Sequence, residues 1–502
     1  MNSQTIAILL AFAAYLIMMI AVGVIYMKKN SSTEDFFLGG RGLGGWTAAL
    51  SAQASDMSGW LLMGLPGAVY AYGTGQAWIA IGLFLGTVFN WVCISGRLRK
   101  YTIRANNSLT LPEFFKNRFH DESKILLGLS TVIIVIFFQV YTASAFAAGG
   151  KLFHSVFHID YTLALTIGVI VILSCTFMGG FMAVCTTDFI QGTLMLIGLI
   201  CVPLLGYGIL QGADTAVSLE GTKEFFNLFY NNGEKISVIE ILSQLAWGLG
   251  YCGMPHILVR FMAIRDEKEL KKSRVIAIVW VILSLGMACI IGLVGRELLG
   301  TKLLDQGTQE NVFIEMILYV FVKHYKLAFI GGIFLCGILA AIMSTADSQL
   351  LVTASGISED IYSGICGKKA DDKTIMRISR FSVIAVAIIG YIIAFDPNSS
   401  VMGLVSNAWA GLGSAFGPIV LLSLFWKRTS FEGAVAGILS GGLTVIIWDY
   451  IPLAGGKTLG AATGIYSLLI GFGISLICIV IVSLLSKEPS KEILQEFEDV
   501  RS

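Results

Sequence analysis

A chain of 502 residues that is 56% hydrophobic and only 13% charged, with a mean hydropathy of +0.79, is too apolar for a soluble domain and belongs in lipid. Its formal net charge of +1 says nothing about partners, because Lys and Arg fall almost entirely between apolar runs long enough to span a bilayer. Polar stretches are too short for a soluble catalytic or nucleotide-binding domain, which excludes an ATP-driven pump and leaves no sign of an enzyme, a nucleic-acid binder or an obligate protein partner.

Taken in chain order, hydropathy predicts thirteen transmembrane helices, near 5-26, 46-70, 76-96, 125-150, 161-183, 188-209, 237-258, 275-295, 327-352, 381-395, 401-425, 431-452 and 464-486. With alternating connections, 26 of the 34 basic residues fall on one side. The positive-inside rule then puts Met1 outside and the C-terminal tail in the cytoplasm. The first span carries no charge from Met1 to Gln4 and is followed by Lys28 and Lys29, the pattern of a retained anchor rather than a cleaved leader. Nine cysteines, an odd number lying mostly within spans and without a CxxC pair, predict neither a disulfide framework nor a metal site. Gly455-Gly456-Lys457-Thr458 imitates the end of a P-loop, but Ile451 stands where the first glycine would be. Lys368, Lys369 and Lys373 in the segment 366-374 read as a solvated cytoplasmic connection.

Two spans make poor continuous helices. Residues 51-67 read SAQASDMSGWLLMGLPG, and five spans later residues 246-255 read AWGLGYCGMP. Glycine- and proline-interrupted spans at corresponding positions of two halves point to an inverted-repeat transporter with a site near the bilayer midplane. The repeats would be spans 2-6 and 7-11, and the odd number of spans in each inverts the second. Close helix packing alone is the other reason for such glycines.

Asp56, at mid-span, costs about 2.5 to 3.5 kcal/mol to insert, so a carboxylate there marks a functional site unless it merely hydrogen-bonds a neighbouring helix. Asp188 follows Thr186 and Thr187 at the start of a span and reads either as a helix cap or as functional. A hard cation such as sodium takes several oxygen ligands. Ser344 and Thr345, with Asp347 and Ser348 beyond, offer hydroxyls, although such hydroxyls also bond back to their own helix. Trp247 and Tyr251, four apart, would share one helix face and could cover a small apolar ring, with Trp60 and Tyr141 completing the pocket; ordinary packing is the alternative for each.

The segments ALSAQASDMSGWLLMGLPGAVY (49-70), AWGLGYCGMPHILVRFMA (246-263), AAIMSTADSQLLV (340-352), AWAGLGSAFGP (408-418), FFLGGRGLGG (36-45) and SLTLPEFFKNRF (108-119) closely resemble the sodium/solute symporter family, and within it the bacterial sodium/proline symporters. The likeness runs to about Lys487. It implies an all-α polytopic protein built on the inverted five-plus-five helix core of the neurotransmitter-type transporters. Residues 1-45 would form an extra helix and loop, 46-210 and 211-426 the two repeats, 427-486 two further helices and 487-502 a cytoplasmic tail.

Residue by residue, the resemblance implies a sodium site at the carbonyls of Ala54, Met57 and Ala341 and the hydroxyls of Ser344 and Thr345. It gives Asp56, Arg41 and Asp188 roles in sodium coupling, and places Ser58, Gly59, Tyr141, Trp247, Tyr251 and Pro255 at the proline site, beside the Trp60 already singled out at the first break. Asp347 departs from a hydroxyl in relatives with two sodium sites, a difference that bears on ion stoichiometry or choice. The implied activity is sodium-driven uptake of L-proline by alternating access, with Na+ as coupling ion and L-proline, sodium and membrane lipid as partners. Another solute such as pantothenate, a sugar or a carboxylate is the nearest rival. A channel would need a filter signature or a ring of like charges, and a sensor would need a signalling domain longer than the tail.

Overall fold

The computed structural model describes residues 3–27, 38–212, 223–367, 371–453 and 455–501. Met1, Lys28, Lys29, Lys368, Lys369 and the first two residues of FFLGGRGLGG lie outside them.

In lipid a chain satisfies its backbone hydrogen bonds either within helices or in a closed barrel, and the described chain is almost wholly helical. The α-helices of eight residues or more are α1 (Ser3–Met27), α2 (Gly45–Asp56), α3 (Leu65–Tyr72), α4 (Ala77–Phe89), α5 (Ser95–Arg104), α6 (Leu111–Arg118), α7 (Ile125–Phe157), α8 (Tyr161–Gly212), α9 (Val238–Leu245), α10 (Pro255–Met262), α11 (Glu267–Leu299), α12 (Ala328–Ser355), α13 (Asp372–Ile393), α14 (Val401–Phe425), α15 (Phe431–Tyr450), α16 (Ser467–Leu485) and α17 (Lys491–Arg501). Among the described residues, ten helices are long and apolar enough to cross a membrane. Of the other three expected spans, those at 46-70 and 237-258 are interrupted, and the one at 161-183 is the first part of α8, which is broken at Gly180 (φ 62°). Several helices also run past the expected limits. Thus α11 begins at Glu267 rather than 275, because Asp266 caps it by accepting from the Glu269 N–H at 2.9 Å and its first two turns are charged.

Helices α2 to α5 pack with α9, α10 and α11, and α7, α8, α12 and α13 pack with one another; the two groups meet along α8, which lies against both α2 and α11, and where α12 touches α2. Helix α14 lies against both α7 and the second interruption, α15 and α16 pack beside it, and α1 lies on α8 and α12. Close approach explains two glycines: a Cβ on Gly86 of α4 would fall on the backbone of Gly248, and one on Gly248 would fall on the Gly82 carbonyl. The glycine run before α2 serves a tight turn in which Gly39, Gly40 and Arg41 all have positive φ. Between α8 and α9, the Asn232–Gly233 turn closes a two-residue hairpin, Tyr230–Asn231 with Glu234–Lys235. The tail after Lys487 is not plain coil: α17 buries Ile493, Phe497 and Val500.

Candidate functional site

The first interruption begins where α2 stops. Met57 leaves helical geometry (φ −84°, ψ 74°) and the Ser58 N–H turns back to the Asp56 carbonyl at 3.0 Å instead of bonding the Ala54 carbonyl. Five residues of wider π-helix, Trp60–Gly64, then lead into α3. The second interruption is a 3-10 helix, Ala246–Gly253, followed by extended Met254, and Pro255 opens α10 where its missing N–H costs nothing.

The carbonyl freed at Ala54 points at α12. Ser344 Oγ lies 2.7 Å from it and 3.1 Å from the Ala341 carbonyl, and Thr345 Oγ1 lies 3.4 Å from the Ala54 carbonyl. Ala54, Ala341, Ser344 and Thr345 are all fully buried, so two carbonyls and two hydroxyls share one dry volume. This hard-oxygen donor set fits a sodium ion. Met57 is likewise buried, at the first non-helical residue beside this cluster.

Asp56 is fully buried next to the same break. Its Oδ2 accepts from the Tyr251 hydroxyl at 2.5 Å, which joins the two interruptions directly, while its Oδ1 has no hydrogen-bond partner. Trp60 donates from its indole N–H to the Asp56 carbonyl at 3.0 Å, and its ring lies 6.5 Å from that of Trp247. Tyr141 is wholly buried, its hydroxyl beside Ser58 and Trp60 without a well-formed hydrogen bond. At Gly59 a Cβ would come within 2.9 Å of Ala148 on α7. The structure thus gathers Asp56, Ser58, Gly59, Trp60, Tyr141, Trp247 and Tyr251.

Trp247 and Tyr251 do not share a face. The segment is 3-10 rather than α, three residues per turn, so residues four apart diverge. Trp247 stacks on Tyr466 of the loop before α16 (5.0 Å, 21°), whereas Tyr251 turns to Asp56 and sets its ring edge-on to Trp409 at 5.2 Å. Pro255 stands apart from this cluster and lines a separate cavity with Leu109, Thr110, Arg260 and Asp360.

Asp188 caps no helix. The helical stretch restarts at Gly180, so Asp188 lies two turns inside it, and Thr186 and Thr187 donate back to Met182 and Ala183. Its Oδ2 accepts instead from Ser51 Oγ at 2.7 Å, Ser55 Oγ at 3.0 Å and Arg260 Nη2 at 3.3 Å. Arg260, 1% exposed, also donates to Ser348 Oγ at 2.5 Å and to the His256 carbonyl at 2.6 Å. This polar knot of α2, α8, α10 and α12 lies one turn from the sodium-type oxygens. Arg41 is remote from both clusters: its guanidinium donates to Asn107 Oδ1 (2.9 Å), Ser108 O (2.9 Å) and Met262 O (2.6 Å), tying the turn before α2 to the end of α10. At the opposite end of the molecule, Glu310 takes Lys151 at 2.7 Å and accepts from Ser400, Val401 and Met402 at the start of α14.

Sequence reasoning missed Arg260, Ser51, Trp409, Tyr466 and His256, whose ring nitrogens are buried without hydrogen-bond partners beside the rings of Phe138 and Tyr141. The signal for Arg260 was present, since it is a basic residue only five positions beyond Pro255 at a span's end; its partner Asp188 is 72 residues away.

Residues 36–441 match the model of the sodium:solute symporter family. The chain belongs to that family. It is therefore a sodium-coupled symporter of the membrane, not an enzyme, with Na+ as its coupling ion. Among curated relatives, it is 42% identical over 492 residues to the osmoregulated proline transporter of Bacillus subtilis (strain 168), covering 97% of this chain and 96% of the relative. It is 43% identical over 483 residues to the high-affinity proline transporter of the same organism, with 96% and 98% covered. With the sodium/proline symporter of Haemophilus influenzae it shares 43% over 504 residues, with 98% and 97% covered. In fold it is similar to a sodium-coupled sialic acid symporter solved in a substrate-bound outward-open state, with a TM-score of 0.73 at 17% identity over 98% of this chain and 99% of that one. A nucleobase-cation-symport-1 family transporter in a closed conformation gives a TM-score of 0.56 at 13% identity, covering 94% and 99%.

Proposed function

We propose that this family member carries L-proline with sodium, in a bacterial cytoplasmic membrane with Met1 outside and the tail inside. The observation that carries the reading is that one helix break serves both solutes. The break frees the Ala54 carbonyl toward Ser344 and Thr345, and two residues later it presents Asp56 to Tyr251. Sodium held by Ala54, Met57, Ala341, Ser344 and Thr345 would pin α2 to α12 and so fix the backbone that carries Asp56, Ser58 and Gly59. Proline would then sit among Trp60, Tyr141, Trp247 and Tyr251, its carboxylate toward the positive end of a half-helix. Full-length identity of 42–43% to relatives named as proline transporters supports the substrate.

Alternating access would be the mechanism. Repeats 46-210 and 211-426 each contribute one broken helix, and the set containing α2, α4, α5, α10 and α11 can rock against α7, α8, α12 and α13. Release would run through the cavity at Pro255 and Arg260, on the side of Arg41. Arg41, bridging α10 to the α5–α6 loop, and Asp188, bridging α2 to α8, would couple that opening to loss of sodium. At a membrane potential of about 150 mV and a tenfold sodium gradient, one ion supplies about 4.9 kcal/mol, which supports accumulation of about 10^3.5-fold. The test is uptake of labelled proline by proteoliposomes with and without an imposed inward sodium gradient. Gradient-driven accumulation is expected; uptake of another solute but not proline would overturn the substrate and keep the class.

A further inference from the structure

The last helix, α17, ends the chain in a docked position that transport through the site does not require. Ile493, Phe497 and Val500, at spacings of four and three, form one buried stripe. Phe497 sets its ring 6.5 Å from that of Tyr101 on α5 and 5.6 Å from the guanidinium of Arg118 on α6. Arg118 is fully buried, donates to the Ser423 carbonyl of α14 at 3.2 Å, and has no carboxylate on either terminal nitrogen. The tail therefore supplies the lid of a buried cation.

Around this stripe the charges alternate in sign with those of the docking surface. Asp499 pairs with Arg104 of α5 at 3.1 Å and Glu498 with Lys427 just beyond α14 at 3.6 Å, while Glu496 lies within hydrogen-bond distance, 3.2 Å, of the His120 ring just beyond α6. These contacts fall on helices of both groups. Helix α5 moves with α10, since Arg99 donates to the carbonyls of Ile264 and Arg265 at 2.6 and 2.5 Å, whereas α6 packs on α7. A helix fastened to both must yield, or lose one set of contacts, whenever the two sets rock.

We propose that α17 is an electrostatic strap: docked, it ties α5 to α6 and slows the conformational step, and it loosens as ionic strength on its side of the membrane rises. Exposed ion pairs are the interactions that salt screens, while the apolar stripe alone is only three residues long. The inference rests on the proposed proline activity solely for its transport assay.

The experiment measures maximal sodium-driven proline uptake by the full chain in proteoliposomes at fixed sodium and osmolarity, with choline chloride raised on both sides from about 0.1 M to about 1 M, over which the screening length falls from about 10 Å to about 3 Å. A rise of about twofold to fivefold in rate is expected. A chain ending at Lys487 should be fast at both salt concentrations. Because truncation can impair folding, charge reversal decides the matter: Arg104→Asp should also be fast and salt-insensitive, and adding Asp499→Arg should restore the brake. An equal salt response in the full chain and in Arg104→Asp, or failure of the double variant to restore it, overturns the strap. A second readout needs no substrate. The buried Val500, replaced by Cys, should react with a water-soluble maleimide several-fold faster at high salt, and an unchanged rate overturns the strap even if proline is the wrong solute.

Discussion

The hydroxyl of Tyr251 donates to Oδ2 of Asp56 at 2.5 Å, so the breaks of two helices 195 residues apart in sequence are held by one hydrogen bond. A bond to a carboxylate in a dry site is worth about 1.5 to 3 kcal/mol. Tyr251→Phe should therefore weaken proline binding or sodium activation by about tenfold or more while leaving the protein folded. Asp56→Asn should abolish sodium stimulation altogether, because it removes the charge that makes a mid-membrane carboxylate a cation partner. Uptake assays across sodium concentrations check both, and an Asp56→Asn protein with unchanged sodium dependence would remove Asp56 from coupling.

Ser344→Ala and Thr345→Ala should each raise the sodium concentration for half-maximal transport, since each deletes one oxygen from a set of hard ligands. Ser344 should matter more, because its hydroxyl lies within 2.7 and 3.1 Å of two carbonyls, whereas that of Thr345 stands 3.4 Å from one. If instead only the proline requirement changes, these hydroxyls belong to the substrate pocket.

The breaks themselves were legible, because Gly, Pro and a mid-span Asp conflict openly with a continuous apolar helix. Their local geometry was not. Whether AWGLGYCG becomes α or 3-10 is decided by Gly82 and Gly86 of α4, which admit its backbone closely, and by Trp409, whose indole donates to the Trp247 carbonyl at 2.8 Å. A helical period read off one segment cannot contain that information, so Trp247 and Tyr251 were placed on one face. Asp188 failed as a cap for a related reason: hydropathy dates a span from its apolar run, whereas the helix restarts at Gly180. The partners of Asp188 are contributed by two other helices, α2 and α10, which only the tertiary fold brings together.

Gly248→Ala should be severely damaging although it touches neither ligand set. The added methyl would meet the Gly82 carbonyl and the Gly86 backbone, forcing α4 away from the second break. The expected result is poor expression or a thermal midpoint lowered by several degrees, with residual protein weak in proline binding. Gly286→Ala on α11, where a Cβ meets nothing within 4 Å, is the matched control and should behave as the parent. Equal stability of the two variants would contradict the close approach.

Glu310 gives a prediction in pH. Burial pushes its carboxyl toward neutrality, but the Lys151 charge and the bonds it accepts from Lys151, Met402 and Val401 outweigh burial and hold it below the usual carboxylate range. A depressed folded-state value contributes stability that is present above the unfolded value of about 4.3 and is lost as pH falls through the folded value. Thermal midpoints of the purified parent should therefore drop on acidification below about pH 4, and Glu310→Gln should be less stable at neutral pH yet flatter over the same window. A parallel acid response in both proteins would show that other carboxylates carry it.

Trp247 separates a substrate role from a packing role. Its ring faces Trp60 at 6.5 Å and stacks on Tyr466 at 5.0 Å, and its main-chain carbonyl, which any side chain would preserve, holds Trp409. Trp247→Ala therefore removes the indole while leaving the hydrogen bond that orders the break. If the indole covers the pyrrolidine ring, its loss should weaken proline binding by about 1 to 3 kcal/mol, or about 5- to 150-fold. Sodium binding without proline should change far less, because an indole offers no oxygen to a hard cation and the Ala54, Ser344 and Thr345 oxygens belong to other elements. Trp247→Phe should recover part of the affinity, since a smaller ring can still stack on Tyr466 and cover an apolar ligand. Proline and sodium titrations on the purified variants make the comparison. Intact proline affinity in Trp247→Ala would return the ring to packing, and an equal loss for both ligands would point to collapse of the break itself.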